Sequence, residues 1–308
     1  MRILVTNDDG IESEGIHVLA RALASTEHEV VVVAPDRNWS GAGAALGDLE
    51  PGRALDVARV EIPGAPAVEA YALAGPPALT VVASRLGAFG APADLVVSGI
   101  NAGLNTGRSI LHSGTVGAVL TGQGFGVSGL AVSVASSSLW HWDTAAQVAL
   151  EVLPLVISAP PRSALNLNVP ARPRSEVAGI RWARIAPFGA VRAQVGSTSA
   201  THVDFVLQAT GYEPAPDTDQ GCVDRGYAAL TTLVGVVEAW PDPPRGRALL
   251  RRVPGARRRP PRGARGPRRH RPPPPAPPPP GRLTYAGGST STTSSGSTSS
   301  GRSTCRAR

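Results

Sequence analysis

Lysine is absent from all 308 residues, and every basic side chain is arginine. This excludes a catalytic lysine, a Schiff base and a lysine phosphate clamp. Cysteine occurs twice, at Cys222 and Cys305, too few for a disulfide framework or a cysteine-built zinc site, and a reducing compartment is expected. No run of about 18 apolar residues appears, so no membrane span is expected. The opening Met-Arg-Ile-Leu-Val turns polar at Thr6-Asn-Asp-Asp9 and lacks the apolar stretch of a signal peptide. Acidic residues are missing from one region altogether: residues 245–308 hold 16 of the 30 basic residues and none of the 23 acidic ones.

That asymmetry divides the chain. Residues 1–244 carry 14 basic against 23 acidic side chains, a net charge of −9, and the remaining 64 residues carry +16. The overall pI of about 10.5 therefore describes the tail. Arg257 to Arg271 is arginine, proline and glycine with one alanine and one histidine, 272–280 is eight prolines around Ala276, and 287–304 is almost all serine, threonine and glycine. No hydrophobic core can be made from this composition, so disorder is expected. A basic arm for nucleic acid, an unstructured extension and an out-of-frame reading of a GC-rich gene are the alternatives for it. The expected organisation is one folded domain over 1–244 and a disordered tail over 245–308.

Within the first 170 residues, apolar runs alternate with helical spacing. Residues 2–6 predict a buried strand ending in Asn-Asp-Asp-Gly. Residues 14–26 place Ile16, Leu19, Ala20 and Leu23 at helical intervals, and Glu29 to Pro35 predicts a second strand. Further strands are predicted at 94–98, 129–135 and 164–169, and helices at 113–125 and 142–158. Strands apolar on both faces, separated by helices, belong to a parallel sheet. The expected fold is α/β, a Rossmann-like three-layer sandwich with a mostly parallel sheet. Segments 50–75 and 177–240 alternate over shorter stretches and are expected to be antiparallel β-hairpins projecting from it.

Ligands in such folds bind beyond the carboxyl ends of the strands. The first strand delivers Asn7, Asp8 and Asp9 there. The second delivers Asp36, Asn38 and Ser40, and the strand ending at Ser98 delivers Asn101 and Asn105. Adjacent carboxylates repel unless a cation or proton intervenes. Oxygen donors without histidine or cysteine nearby suit Mg²⁺ or Mn²⁺; a solvated turn is the plain alternative for Asp-Asp-Gly alone. Ser113-Gly114-Thr115 stands before a helix, where backbone N–H groups and hydroxyls can take an anion, or simply cap the helix. His112 is a candidate general acid. His17, His28, His141 and His202 show no partner pattern.

Four segments occur in order: Val5-Thr-Asn-Asp-Asp-Gly-Ile11, Ala34-Pro-Asp-Arg-Asn-Trp-Ser-Gly41, Val97-Ser-Gly-Ile-Asn-Ala-Gly-Leu-Asn-Thr-Gly107 and His112-Ser-Gly-Thr-Val-Gly117. Together they resemble the survival protein E (SurE) family of 5′/3′-nucleotidases over about residues 1–240. The resemblance implies one divalent metal on Asp8, Asp9, Ser40 and Asn101, with the two aspartates catalytic. It implies phosphate contacts at Asn105, Ser113, Gly114 and Thr115, a nucleoside monophosphate substrate, a homodimer or homotetramer, and a cytoplasmic location. Three departures from the family pattern are Ser13-Glu14 after the first motif, His112 where tyrosine is common, and Gly226-Tyr-Ala-Ala-Leu-Thr-Thr-Leu233 near the domain's end. An aspartyl-phosphate phosphatase of the haloacid-dehalogenase type is the rival enzyme, but it needs Asp-x-Asp and a lysine. A sugar-nucleotide glycosyltransferase needs a second Rossmann domain, for which too few residues remain.

Overall fold

Apolar side chains on both faces of successive strands demand cover on both sides, and the chain supplies it with helices. The computed structural model describes residues 1–237 apart from 51, 53, 188–190 and 210; these belong to one unit, Met1–Trp240. The expected tail over 245–308 lies outside the described residues. Strand β1 (Arg2–Thr6) leads through helix α1 (Glu14–Ala24) to β2 (Glu29–Pro35). Then come β3 (Val57–Val60), β4 (Glu69–Leu73), α2 (Pro77–Arg85), β5 (Leu95–Ala102) and α3 (Gly114–Gly124). The remainder runs β6 (Ser128–Val134), α4 (Trp142–Ser158), β7 (Ala164–Val169), β8 (Ile180–Trp182), β9 (Val191–Thr198), β10 (Val203–Ala209), α5 (Asp219–Asp224) and β11 (Ala228–Leu233).

Nine strands form one sheet in the order β3-β4-β2-β1-β5-β6-β7-β11-β8. The six from β4 to β7 are all parallel. Their order is that of the doubly wound dinucleotide fold, with the reversal of direction at β1 and β5. Side-chain alternation sorts the core. Ile3, Val5, Val30 and Val32 face α1 and α4 with Ile16, Leu19 and Val148. Leu4, Val31 and Val33 face α2 and α3 with Leu79, Val116 and Val119. The α/β three-layer sandwich expected from the periodicity is the observed architecture.

Two segments differ from expectation. β3 and β4 do pair antiparallel, but β4 also lies parallel along β2, from Val31↔Glu69 to Pro35↔Leu73. Residues 57–73 therefore widen the main sheet instead of projecting from it; burial of Ala70, Ala72 and Leu73 holds them there. Beyond 177, β11 pairs antiparallel with β7 and parallel with β8. Its buried Ala228, Ala229 and Leu230 make it an interior strand. Among the described residues, only β9 and β10 form a separate antiparallel pair. Helix α2, opened by Pro77 in its first turn, was not expected from the sequence. Proline suits that position because its missing N–H has no intrahelical partner there anyway.

Candidate active site

The turn after β1 is shaped by its own side chains. Asn7, fully buried, donates from Nδ2 to Gly10 O at 2.9 Å and to Ser13 Oγ at 2.7 Å, and its Oδ1 accepts from Gly10 N at 3.3 Å. Ser13, a departure from the family pattern, is thus part of the turn. Gly10 takes φ +99°, in the left-handed region that favours glycine. The turn places Asp8 and Asp9 above the crevice between β1 and β5.

The two carboxylates have different surroundings. Asp8 is 3% exposed. Its Oδ2 accepts the Gly114 N–H at 3.0 Å, and its Oδ1 accepts the Thr115 hydroxyl at 2.5 Å. Its charge sits against the first turn of α3, where unpaired N–H groups and the helix dipole favour an anion. A Cβ on Gly114 would fall 2.6 Å from Asp8 Cβ, so only glycine permits this approach. Asp9 is half-buried and has one contact of this kind, from Ala102 N to Oδ2 at 3.3 Å. Burial first, and the Asp8 charge second, raise its pKa above the ordinary 3.8, against the lowering effect of the Ala102 hydrogen bond.

Two further segments close on this pair. Trp39 N donates to Asp8 O at 2.7 Å, which brings Ser40 to the end of β1. Ser40 is exposed, with its N–H on Asn38 Oδ1 at 2.8 Å and no side-chain hydrogen bond among the described residues. Gly43 N donates to His112 O at 3.0 Å, tying this loop to the start of α3. At the end of β5, Asn101 donates from Nδ2 to Gly103 O at 2.6 Å, which leaves its amide oxygen as the atom for a ligand. Among the described residues no three His, Cys, Asp or Glu side chains gather as a metal cluster, and no cation pairs with Asp9. A metal here would rest on two carboxylates and neutral oxygens. An uncompensated carboxylate beside hard oxygen donors fits a hard divalent ion and not a soft one.

Comparison with known proteins identifies the family. The family model described as Survival protein SurE matches residues 3–189. The 5′-nucleotidase SurE of Chloroflexus aggregans is 46% identical over 241 residues, 76% of this chain and 92% of that protein. The 5′/3′-nucleotidase SurE of Erwinia tasmaniensis is 38% identical over 238 residues, 76% of this chain and 90% of that one. The crystal structure of the SurE protein from Aquifex aeolicus matches with a TM-score of 0.64 at 31% identity, covering 76% of this chain and 93% of that chain. The chain belongs to the survival protein SurE family.

The other SurE-motif residues sit differently. Ser113 caps α3, accepting from Val116 N at 3.1 Å, while Gly114 and Thr115 are turned to Asp8. Asn105 lies in a buried polar layer over β6 and β7. Its N–H goes to Asn168 Oδ1 at 2.8 Å, its Nδ2 to Ser133 Oγ at 2.9 Å, and its C=O accepts from Asn166 and Asn168. His112 is exposed at the end of a 3-10 turn, Gly107–His112. Asp219 was missed by the sequence reading. Fully buried at the start of α5, it accepts N–H groups from Gly107, Ala186 and Gln220 at 2.8–2.9 Å, and so anchors that turn. Its signal was faint: Thr218-Asp219 reads only as an ordinary helix start.

The raised pKa of Asp9 has a definite sign. Its ionised form is penalised in the fold, so stability is lost as pH rises from 3.8 through the raised value. With chelator present at pH 7, Asp9→Asn should melt higher than the wild type, and the gap should shrink as pH falls toward 3.8. A variant melting at or below wild type at pH 7 would contradict the uncompensated charge.

Thr115→Val keeps the side-chain shape but strands Asp8 Oδ1 without its donor, a loss of about 1–3 kcal/mol. Thermal midpoint and turnover should fall together, and Thr115→Ser should restore both. Wild-type behaviour of a folded Thr115→Val protein would remove Thr115 from the site.

Proposed function

We propose that this protein is a metal-dependent phosphomonoesterase that hydrolyses nucleoside monophosphates at the crevice above β1 and β5. The carrying observation is the pair Asp8–Asp9: one carboxylate is braced by α3 and the other is held half-buried without a counter-charge among the described residues. Membership of the SurE family supports the nucleotidase activity, since its relatives carry the names 5′-nucleotidase and 5′/3′-nucleotidase. The reaction consumes one water and releases a nucleoside and inorganic phosphate.

In this reading Asp8, Asp9, Ser40 and Asn101 hold a single divalent ion, Mg²⁺ or Mn²⁺. When bound, the ion supplies positive charge against the phosphate and a Lewis acid for the attacking water. Gly114 and Thr115 keep Asp8 oriented. The Asp9 carboxylate, with one oxygen on Ala102 N, has its other oxygen available to accept a proton from that water. Ser113, Gly114 and Thr115 line the approach of the phosphate through the positive end of α3. Asn105 is a structural support of that approach, since three of its polar groups are engaged within the protein. We place the activity in residues 1–244 of a homodimer or homotetramer working in the cytoplasm, and none in residues 245–308.

The test is a panel of nucleoside 5′- and 3′-monophosphates assayed with metal varied. Chelator should abolish hydrolysis, and Mn²⁺ or Mg²⁺ should restore it in the full chain and in a chain ended at Pro244. Full rates in chelator would overturn the metal assignment. Metal-dependent hydrolysis of simple phosphate esters with none of nucleotides would overturn the substrate.

A further inference from the structure

A groove of about 460 Å³ opens next to the candidate metal site, at the carboxyl ends of β6 and β7 and against α5. Its size is that of a small-molecule pocket. It is continuous with the site. Asn101 and Ala102 pair in register with Ser133 and Val134, and Val134 pairs with Val169. Val134 and Val169 thus stand about one and two strand spacings from Ala102, roughly 5 and 10 Å, and Ser136 and Pro170, which line the groove, follow them in sequence just beyond the strand ends. Gly103 lies between site and groove: a Cβ there would be 4.0 Å from Asn101 Nδ2 and 3.7 Å from Ser136 Oγ.

The walls carry specific chemistry. Arg172 reaches across Gly226, where a Cβ would come within 2.5 Å of its Nη1. Among the described residues no carboxylate pairs with its guanidinium. On the α5 side, Gln220 is held at both ends. Its Oε1 accepts from Thr106 Oγ1 at 2.7 Å, and its Nε2 donates to Asp224 Oδ1 at 2.8 Å. That leaves the second oxygen of Asp224 for a ligand. Leu104 and Pro170 add apolar lining to the groove.

We propose that this groove holds the nucleoside part of the substrate, an inference that rests on the nucleotidase reading above. Asp224 accepts from the ribose hydroxyls, as a carboxylate does in dinucleotide sites. Arg172 presents its planar guanidinium to the base, which it can stack on or hydrogen-bond. The phosphate, attached to the ribose, then points back past Gly103 to the carboxylate pair. Arg172 and Asp224 are specificity residues that touch the part of the substrate that does not react.

The experiment compares the manganese-loaded full chain with Arg172→Gln and Asp224→Asn on nucleoside monophosphates and on p-nitrophenyl phosphate, which has no nucleoside. The ratio of kcat/KM for nucleotide over p-nitrophenyl phosphate should fall roughly tenfold or more, through KM. Inhibition by adenosine, which has no phosphate, should weaken in parallel. An unchanged ratio with unchanged adenosine inhibition would overturn the proposal. So would a loss confined to nucleosides bearing a second phosphate, which would make Arg172 a phosphate contact. If Arg172→Gln fails to fold, Asp224→Asn and adenosine inhibition of the wild type carry the same decision from the opposite wall. A wild type that ignores nucleotides while cleaving p-nitrophenyl phosphate would instead overturn the nucleotidase reading itself.

Discussion

The carboxylate of Asp8 joins the end of β1 to the first turn of α3, and the geometry above the sheet depends on that junction. Gly114 N and Thr115 Oγ1 take one oxygen each, and Asp8 O receives Trp39 N. One residue thus links β1, the loop carrying Ser40, and α3. Such a junction requires no side chain at 114 and a hydroxyl at 115. It also requires a buried carboxylate whose charge is met by oriented N–H groups.

The junction makes the neighbouring carboxylate different in kind. Asp8 is matched within the protein, whereas Asp9 sits against it, half-buried, with one backbone N–H and no cation among the described residues. Desolvation first and repulsion second penalise the ionised Asp9, and a divalent ion would offset both. The crevice between β1 and β5 is where a doubly wound sheet leaves room for such a ligand. Strand spacing then carries the same surface outward over β6 and β7, from Asn101 past Gly103 to Arg172. In the proposed reading, reactive and recognising residues therefore share one edge of the sheet.

Much of this was legible in the sequence. The strands at 2–6, 29–35 and 164–169 and the helix at 142–158 have the observed bounds, because unbroken apolar runs and long amphipathic spacing are strong signals. The placement of Asp8, Asp9, Ser40 and Asn101 at strand ends followed from the same pattern. Other features depend on contacts distant in sequence. β4 reads as a hairpin arm because Glu69-Ala-Tyr-Ala-Leu73 alternates, and only its docking on β2 makes it interior. Thr115 reads as a cap or phosphate donor, and its partner is 107 residues away. Asp219 anchors Gly107 across a separation of 112 residues, which no local pattern reveals.

The central claim is that Asp8 and Asp9 together hold one divalent ion. Calorimetric titration of Mn²⁺ into the substrate-free protein tests it most directly, with Asp9→Asn as the paired sample. The account predicts one ion bound per chain in the wild type and a large loss of affinity in the variant, with Arg172→Gln unaffected. Equal Mn²⁺ binding by wild type and a folded Asp9→Asn protein would contradict it.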